Sequence, residues 1–158
     1  MKISTVINGK PCESDVPDNT LLLDWLRNDL ELTGTKQSCE VQVCGVCTVL
    51  VDGEPVSACN MLAVEVRNSS ITTIEGLRET DFFKRAEAIF LRHAAVQCGF
   101  CSPGFMLTVF RLASGGREMS MSEVRDSLHG NLCRCTGYKS VIEAAFEVIN
   151  SELNRKPK

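Results

Sequence analysis

Nine cysteines make thiol chemistry the first feature of this 158-residue sequence. They lie at positions 12, 39, 44, 47, 59, 98, 101, 133 and 135, so eight of them form two groups separated by a long cysteine-free stretch. In a reducing compartment, such a density of thiols indicates metal ligands or redox chemistry before disulfides. The grouping therefore predicts two separate sites.

The first thiol quartet consists of Cys39, Cys44, Cys47 and Cys59. Its spacing of x4, then x2, then a distant fourth cysteine is typical of plant-type 2Fe-2S ferredoxins. A hairpin turn at Asp52-Gly53 would return Cys59 to the side of Cys47. A structural zinc site is the alternative, but zinc sites favour paired C-x2-C knuckles.

The second thiol quartet consists of Cys98, Cys101, Cys133 and Cys135. In an extended segment Cys133 and Cys135 would face the same side while Arg134 points away, so both thiolates could reach one metal centre. Spacing alone leaves an iron–sulfur cluster, a zinc site and a redox dithiol open for this group.

The first 76 or so residues are predicted to form a small mixed sheet with one helix. β-Branched stretches joined by Asn-Gly and Asp-Gly turns predict strands near 3–7, 10–16, 47–51, 54–59 and 71–74, with Gly76 ending the last. Pro55 suits an edge strand, because proline cannot donate to a ladder. Apolar residues at helical spacing predict one helix of about ten residues, which begins after an N-cap at Asn19-Thr20 and ends by Gly34.

From Thr80 onward apolar residues recur at offsets of three and four, which is typical of helices. Capping residues and glycine stops predict helices near 82–94, 102–113, 120–128 and 140–153. These four helices should form a bundle. The charged stretch 78–81 is the expected linker, and the tail 154–158 is expected to be disordered.

Charge and hydropathy exclude several function classes. The net charge of -3, with no long run of either sign, does not indicate a basic surface that would bind nucleic acid or an anionic membrane. No stretch approaches the ~20 apolar residues needed to cross a bilayer, and the first nine residues lack the apolar core of a secretory signal. We therefore expect no membrane span and a cytoplasmic location.

The residues around the second thiol quartet carry a family resemblance. Residues 97–104 (QCGFCSPG) and 130–138 (GNLCRCTGY) closely resemble motifs of the iron–sulfur subunit of the xanthine oxidase family of molybdenum hydroxylases. Residues 32–36 (LTGTK) and 44–49 (CGVCTV) resemble the same family's first-cluster region. The resemblance extends from about residue 3 to residue 149.

This resemblance implies an α+β fold in which an N-terminal ferredoxin-like (β-grasp) domain, residues 1–76, precedes a C-terminal four-helix bundle domain, residues 80–153. It implies one 2Fe-2S cluster in each domain, held by the two thiol quartets. By position, Gln97 matches the glutamine that contacts the pterin, and Cys135 matches the cluster ligand that faces it. The implied metal ligands are Cys39, Cys44, Cys47, Cys59, Cys98, Cys101, Cys133 and Cys135.

The implied function is that of the electron-transfer subunit of a molybdopterin-dependent hydroxylase or dehydrogenase. Electrons would pass from molybdenum in a large catalytic subunit, through two 2Fe-2S clusters, to FAD in a medium subunit, and the substrate site would lie on another chain. A free-standing ferredoxin-like electron carrier is the alternative, although it accounts for the first thiol quartet only. A zinc-stabilised interaction module is a third hypothesis.

Five residues either depart from the family pattern or lie outside the two thiol quartets. The family usually has glycine at the positions of Ser38 and Gln42, where a left-handed backbone would cost a non-glycine residue about 1–2 kcal/mol. Cys12 lies outside both thiol quartets and is expected to be a structural thiol. Since the eight other cysteines fill two sites, His93 and His129 are expected to be structural as well.

Overall fold

The computed structural model describes residues 1–153 and 155, so the predicted tail lies outside the described residues apart from Arg155. Five strands form one mixed sheet in the order β2-β1-β5-β3-β4. The pairs β1–β2, β3–β4 and β3–β5 are antiparallel, and β1–β5 is parallel. The strands are β1 (Lys2–Ile7), β2 (Lys10–Asp15), β3 (Thr48–Val51), β4 (Glu54–Ser57) and β5 (Ser70–Thr72).

Both predicted hairpins are present. Asn8 and Gly9 have φ values of 51° and 78°, and Asp52 and Gly53 have 50° and 84°, as a tight turn with two left-handed residues requires. The β3–β4 ladder pairs Thr48 with Ser57 and Leu50 with Pro55. Because β4 is an edge strand, its proline interrupts no further ladder.

The predicted helix of about ten residues is present as eight helical residues, but its N-cap and its second part differ from the prediction. A short α1 (Leu22–Asp24) continues into a wide π turn, Trp25–Asp29, and its N-cap is Leu21 instead of Asn19-Thr20. Four side chains of this segment are fully buried: Leu22, Leu23, Trp25 and Leu26. The conformation of the segment therefore depends on burial in the core more than on an amphipathic pattern with one apolar face. The chain turns away at residue 31, whose φ is +56°.

The strand predicted over 71–74 is also wrong at its end. β5 stops at Thr72, and Ile74 begins α2 (Ile74–Arg78), in which Gly76 is an internal residue. The Asn8 side chain explains this, because its oxygen accepts from the Thr73 amide at 2.9 Å and its nitrogen donates to the Thr73 hydroxyl at 3.0 Å. A Cβ on Gly76 would lie 2.3 Å from that oxygen, so glycine permits the close approach.

Helices occur at the four predicted positions in the second part of the chain. α6 packs against each of the three others. Thr80 caps the start of α3 and Ser120 caps the start of α5. The expected linker 78–81 is a tight break between α2 and α3, since Asp81 is already helical. The helices are α3 (Asp81–Arg92), α4 (Ser102–Ser114), α5 (Met121–Ser127) and α6 (Lys139–Leu153).

Two apolar cores lie side by side. We call residues 1–73 the sheet half, with a core around Trp25, Val49 and Ile71, and residues 74–153 the helical half, with a core around Phe105 and Ala144. Strands β3 and β4 rest on α4, which brings the two cores together. Among the described residues no helix is both long enough and apolar enough to span a bilayer.

Candidate metal centres

The first thiol quartet is assembled by a loop and a hairpin. Cys39, Cys44 and Cys47 lie in the loop before β3, and Cys59 lies in the helical turn Ala58–Asn60 that follows β4. The β3–β4 register returns the chain to the loop, where the Ala58 amide donates to the Cys47 carbonyl at 3.3 Å. The expected return of Cys59 to the side of Cys47 is therefore confirmed.

Within the first thiol quartet the thiols form two pairs. Cys39 interacts with Cys44, and Cys47 interacts with Cys59. The amides of Val41, Cys44 and Val43 lower the pKa of the Cys39 thiol to about 6, whereas burial raises the pKa of Cys47 to about 11. Since the thiolate is the metal-binding form, the amides favour binding at the half-buried Cys39 and Cys44, which we call the outer pair of this quartet.

The second thiol quartet is held between helix ends. Cys98 and Cys101 lie between α3 and α4, and Cys133 and Cys135 lie between α5 and α6. Here too there are two pairs, because Cys135 Sγ lies 3.6 Å from Cys98 Sγ and Cys133 contacts Cys101.

Hydrogen bonds in the second thiol quartet concentrate on Cys133. The hydroxyl and amide of Thr136 lie 3.1 and 3.4 Å from Cys133 Sγ, and they lower the pKa of this thiol although burial opposes the change. Burial raises the pKa of Cys101 to about 12. Cys133 is thus the member of its pair that is prepared to act as a thiolate.

This donor set fits a two-iron cluster. A 2Fe-2S cluster takes four thiolates, two for each iron, and each quartet supplies two close pairs. Among residues 1–153 and 155, no three Cys, His, Asp or Glu side chains converge tightly enough to hold one metal ion.

The residues expected beside the pterin lie at the protein surface. Gln97 and Cys98 are exposed in the loop before α4, and Cys135 is exposed in the loop before α6. Next to them, the exposed apolar side chains of Phe100 and Leu132 have relative exposures of 45% and 43%. Cys98 and Cys135, the outer pair of the second thiol quartet, are therefore accessible to another chain.

Cys12, His93 and His129 lie in three separate places. Cys12 is half-buried in β2 beside the sheet core, 3.9 Å from the Ser14 hydroxyl. His93 Nε2 lies 2.7 Å from a carboxylate oxygen of Glu147, a contact that belongs to the α3–α6 packing. His129 lines an apolar groove beside α5 and α6. None of the three joins a thiol quartet.

The two departures from the family pattern differ in structure. Gln42 has a φ of 59°, so its left-handed backbone carries the expected cost of about 1–2 kcal/mol, whereas Ser38 is not left-handed. The Gln42 side chain accepts a hydrogen bond of 2.7 Å from Asn60, beside Cys59. This bond ties the loop to the turn that carries the fourth cysteine.

The loops of the two thiol quartets contact each other. The Leu132 amide donates to the Cys44 carbonyl at 2.8 Å. A Cβ on Gly45 would lie 2.1 Å from the Gly130 carbonyl oxygen, and one on Gly104 would lie 2.2 Å from the Gly45 carbonyl oxygen. These glycines allow the two backbones to touch.

Sequence reasoning missed Asn131, which fastens this contact. Its side chain is 5% exposed, and its nitrogen donates to the Gly45 carbonyl at 3.1 Å. Its oxygen lies 3.1 Å from the Thr108 hydroxyl. The only signal was its place between a helix-ending glycine and Cys133, which does not reveal a partner 86 positions away.

Two family profiles match, one for each half of the chain. Residues 5–70 match a 2Fe-2S iron–sulfur cluster binding domain, and residues 73–146 match a [2Fe-2S] binding domain. The two matches follow one another along the chain, so each thiol quartet lies within one of them.

Relatives match over nearly the whole chain. The 6-hydroxypseudooxynicotine dehydrogenase complex subunit beta of Paenarthrobacter nicotinovorans is 39% identical over 94% of both chains. Caffeine dehydrogenase subunit gamma of a Pseudomonas species is 42% identical over 92% of this chain and 89% of its own. A chain in the crystal structure of quinoline 2-oxidoreductase from Pseudomonas putida 86 superposes with a TM-score of 0.90, at 43% identity over 99% of this chain and 97% of that one.

The matches to families, relatives and a solved structure are consistent with three features of this chain. These are the two thiol quartets, the mixed sheet with helices, and the motifs around Cys98 and Cys133. The chain therefore belongs to the molybdenum hydroxylase family, as a 2Fe-2S iron–sulfur subunit of such an oxidoreductase.

Proposed function

We propose that this chain is the electron-transfer subunit of a molybdopterin-dependent hydroxylase or dehydrogenase. Its two 2Fe-2S clusters would pass electrons from the molybdenum centre of a large subunit to the FAD of a medium subunit. The observation that carries the proposal is the gathering of one thiol quartet in each half of the chain, with amides donating to Cys39, the Thr136 hydroxyl donating to Cys133, and 3.6 Å between the sulfurs of Cys98 and Cys135.

The proposed ligands are the eight cysteines of the two thiol quartets, paired on each iron as their thiols pair in the structure. Backbone amides at Cys39 and the Thr136 hydroxyl at Cys133 donate to sulfur, so the chain stabilises negative charge in each quartet. The pairs are Cys39 with Cys44, Cys47 with Cys59, Cys98 with Cys135, and Cys101 with Cys133.

We further propose two domains, a β-grasp ferredoxin-like domain over residues 1–76 and a four-helix bundle domain over residues 80–153. The two apolar cores support this division, because each thiol quartet lies beside a separate core. The packing of α6 against α3, α4 and α5 supports a bundle. The short helix α2 would join the two domains.

The proposal assigns two partner surfaces to this chain. Gln97 and Cys135 would face the pterin of the large subunit, beside the exposed Phe100 and Leu132. The medium FAD subunit would lie nearer the first thiol quartet, whose loop exposes two valines, at positions 41 and 43, by 67% and 58%. Apolar side chains left exposed beside redox sites are suited to burial by a partner.

The cysteines also bear on the cellular compartment and on the alternative function as a free-standing carrier. We place the complex in the cytoplasm, because nine cysteines that form no disulfide suit a reducing compartment. A free-standing ferredoxin-like carrier would not need the second thiol quartet, and relatives named as subunits of dehydrogenases favour the complex.

Metal analysis of the natively purified protein tests the proposal. We expect about four irons and about four acid-labile sulfides per chain, two of each for every thiol quartet. We also expect large and medium subunits to co-purify, with molybdenum and FAD. Two zinc ions per chain, or a fully loaded chain that purifies without partners, would overturn the assignment.

A further inference from the structure

We propose that Asn131 is a positioning residue for electron transfer between the two thiol quartets. By holding the Gly45 carbonyl, it keeps the Cys44 carbonyl on the Leu132 amide. The inference rests on the proposed function, since it requires a redox centre at each quartet.

The contact that Asn131 holds is a direct bridge between the two sites. Cys44 belongs to the first thiol quartet, and its carbonyl accepts from the Leu132 amide at 2.8 Å. Leu132 is bonded covalently to Cys133, a member of the second thiol quartet. One hydrogen bond and a short stretch of backbone therefore join the two quartets.

This bridge suits a one-electron step. An electron that leaves one centre reduces the other by one electron, with no bond made or broken and no proton required. Coupling through bonds decays less steeply than coupling through empty space, so a shorter bonded route gives faster transfer. The Cys44–Leu132 hydrogen bond is the link of that route that can lengthen without breaking the chain.

Asn131 is placed to prevent that lengthening. Its side chain is buried between the halves, and its nitrogen donates to the carbonyl of the residue that follows Cys44. On the sheet side, the same Gly45 carbonyl also accepts from the Thr48 hydroxyl at 2.7 Å. Asn131 thus fastens the helical half to an atom that the sheet half already holds.

Thr108 sets the orientation of the amide group. Its hydroxyl lies 3.1 Å from Asn131 Oδ1 and 3.0 Å from the Gly104 carbonyl, so its single proton is shared between two acceptors. With the Asn131 oxygen facing Thr108, the nitrogen faces Gly45. The assembly is tightly packed, because a Cβ on Gly104 would lie 2.2 Å from the Gly45 oxygen.

The test compares Asn131→Asp, Asn131→Ala and Thr108→Val with the unmodified chain, each purified as the complete complex. Asn131→Asp keeps the shape but places an oxygen against the Gly45 carbonyl, and Thr108→Val is a milder change that protects the test against misfolding. Asn150→Ala is the matched control, because Asn150 also makes two backbone hydrogen bonds, to Met119, away from the bridge.

Three measurements report on the Cys44–Leu132 hydrogen bond and on electron transfer between the two quartets without relying on turnover. Amide hydrogen exchange reports on the Leu132 amide, paramagnetic resonance reports on the magnetic interaction of the two reduced centres, and rapid photoreduction gives the rate of electron equilibration between them. In the Asn131 variants we expect several-fold faster exchange, a weaker interaction and several-fold slower equilibration. Thr108→Val should give a smaller change of the same sign, and Asn150→Ala should give none.

The outcomes separate this inference from the function on which it rests. If the unmodified chain lacks two paramagnetic centres after reduction, the proposed function fails. If both centres are present but equilibration and magnetic interaction are unchanged in Asn131→Asp and Thr108→Val, the inference alone is overturned. Equal slowing in Asn150→Ala would also overturn it, because general loosening of the helical half would then be the cause.

Discussion

The two thiol quartets resemble each other in layout and differ in where their hydrogen bonds fall. Each has an inner and an outer pair, with Cys47 and Cys59 only 2% and 4% exposed in the first, and Cys98 and Cys135 exposed in the second. In the first thiol quartet the amides point at Cys39, in the outer pair.

In the second thiol quartet the donors point instead at Cys133, in the inner pair. The exposed Cys98 and Cys135 have each other as close neighbours, and this contact raises the pKa of Cys135. The comparison teaches that the loop before β3 can supply amides to a half-buried sulfur. A quartet fixed between helix ends receives its donors from the following turn.

The largest expected effect comes from removing one ligand from the inner pair of each quartet. This change tests whether the two quartets bind separate clusters. Cys47→Ser and Cys101→Ser should each lower iron from about four to about two per chain, because each quartet binds its own cluster. Metal analysis and paramagnetic resonance of the purified complex measure this loss. Cys12→Ser is the control and should leave the iron content unchanged.

The same pair of variants tests the order of electron flow. With Cys47→Ser, anaerobic substrate should still reduce the second thiol quartet's cluster while flavin reduction and turnover collapse. With Cys101→Ser, the first quartet's cluster should stay oxidised under substrate but accept electrons from dithionite. Rapid-freeze spectroscopy that shows normal reduction by substrate in Cys101→Ser would contradict the proposed order.

A backbone substitution tests how tightly the two quartets are joined. Gly45→Ala meets a φ of +67° and a Cβ contact of 2.1 Å, so the free energy of unfolding should fall by about 2–5 kcal/mol. Gly9→Ala meets a φ of +78° with no atom within 4 Å and should cost only about 1–2 kcal/mol. Denaturant unfolding of the holo chain measures both, and equal costs would deny the importance of the close approach.

The exposed outer pair of the second thiol quartet is tested at Gln97. Gln97→Ala should retain both clusters but weaken retention of the pterin cofactor by about 1 kcal/mol, since it removes one proposed hydrogen bond to an uncharged group. Cofactor occupancy after gel filtration measures the loss. Unchanged occupancy together with unchanged pre-steady-state reduction would count against this assignment.

The smallest expected effect concerns the donor to Cys133. Thr136→Val removes the hydroxyl that lies 3.1 Å from its sulfur, so the reduced and more negative cluster is stabilised less. We expect the potential of the second quartet's cluster to fall by some tens of mV and that of the first to stay unchanged. A redox titration followed by paramagnetic resonance distinguishes the two, and an unchanged second potential would show that the hydroxyl does not tune it.

Local signals predicted the features that depend on local chemistry. The Asp52-Gly53 turn alone sets the β3–β4 register, so the return of Cys59 to Cys47 could be predicted from the sequence. The Ser120 capping box likewise marked the start of α5.

Long-range contacts account for what the sequence did not show. Helix α2 begins at Ile74, where the sequence predicted a strand, because the side chain of Asn8 binds Thr73, 65 positions later in the chain. The bridge at Asn131 depends on two glycines from other segments, whose role appears only when the backbones touch. Periodicity and capping patterns contain no information on such pairs.

The placement of Leu50 has a consequence for biosynthesis. Leu50 belongs to a sheet strand, yet its side chain is only 2% exposed because it packs into the core of the helical half. Because chains emerge from the ribosome N-terminus first, β3 is complete while α4 has not yet been made. We therefore expect Leu50 and its face of β3 to be accessible until α4 emerges and covers them. Proteolysis of ribosome-bound chains of increasing length would reveal that interval as a loss of cleavage near Leu50 once α4 has emerged.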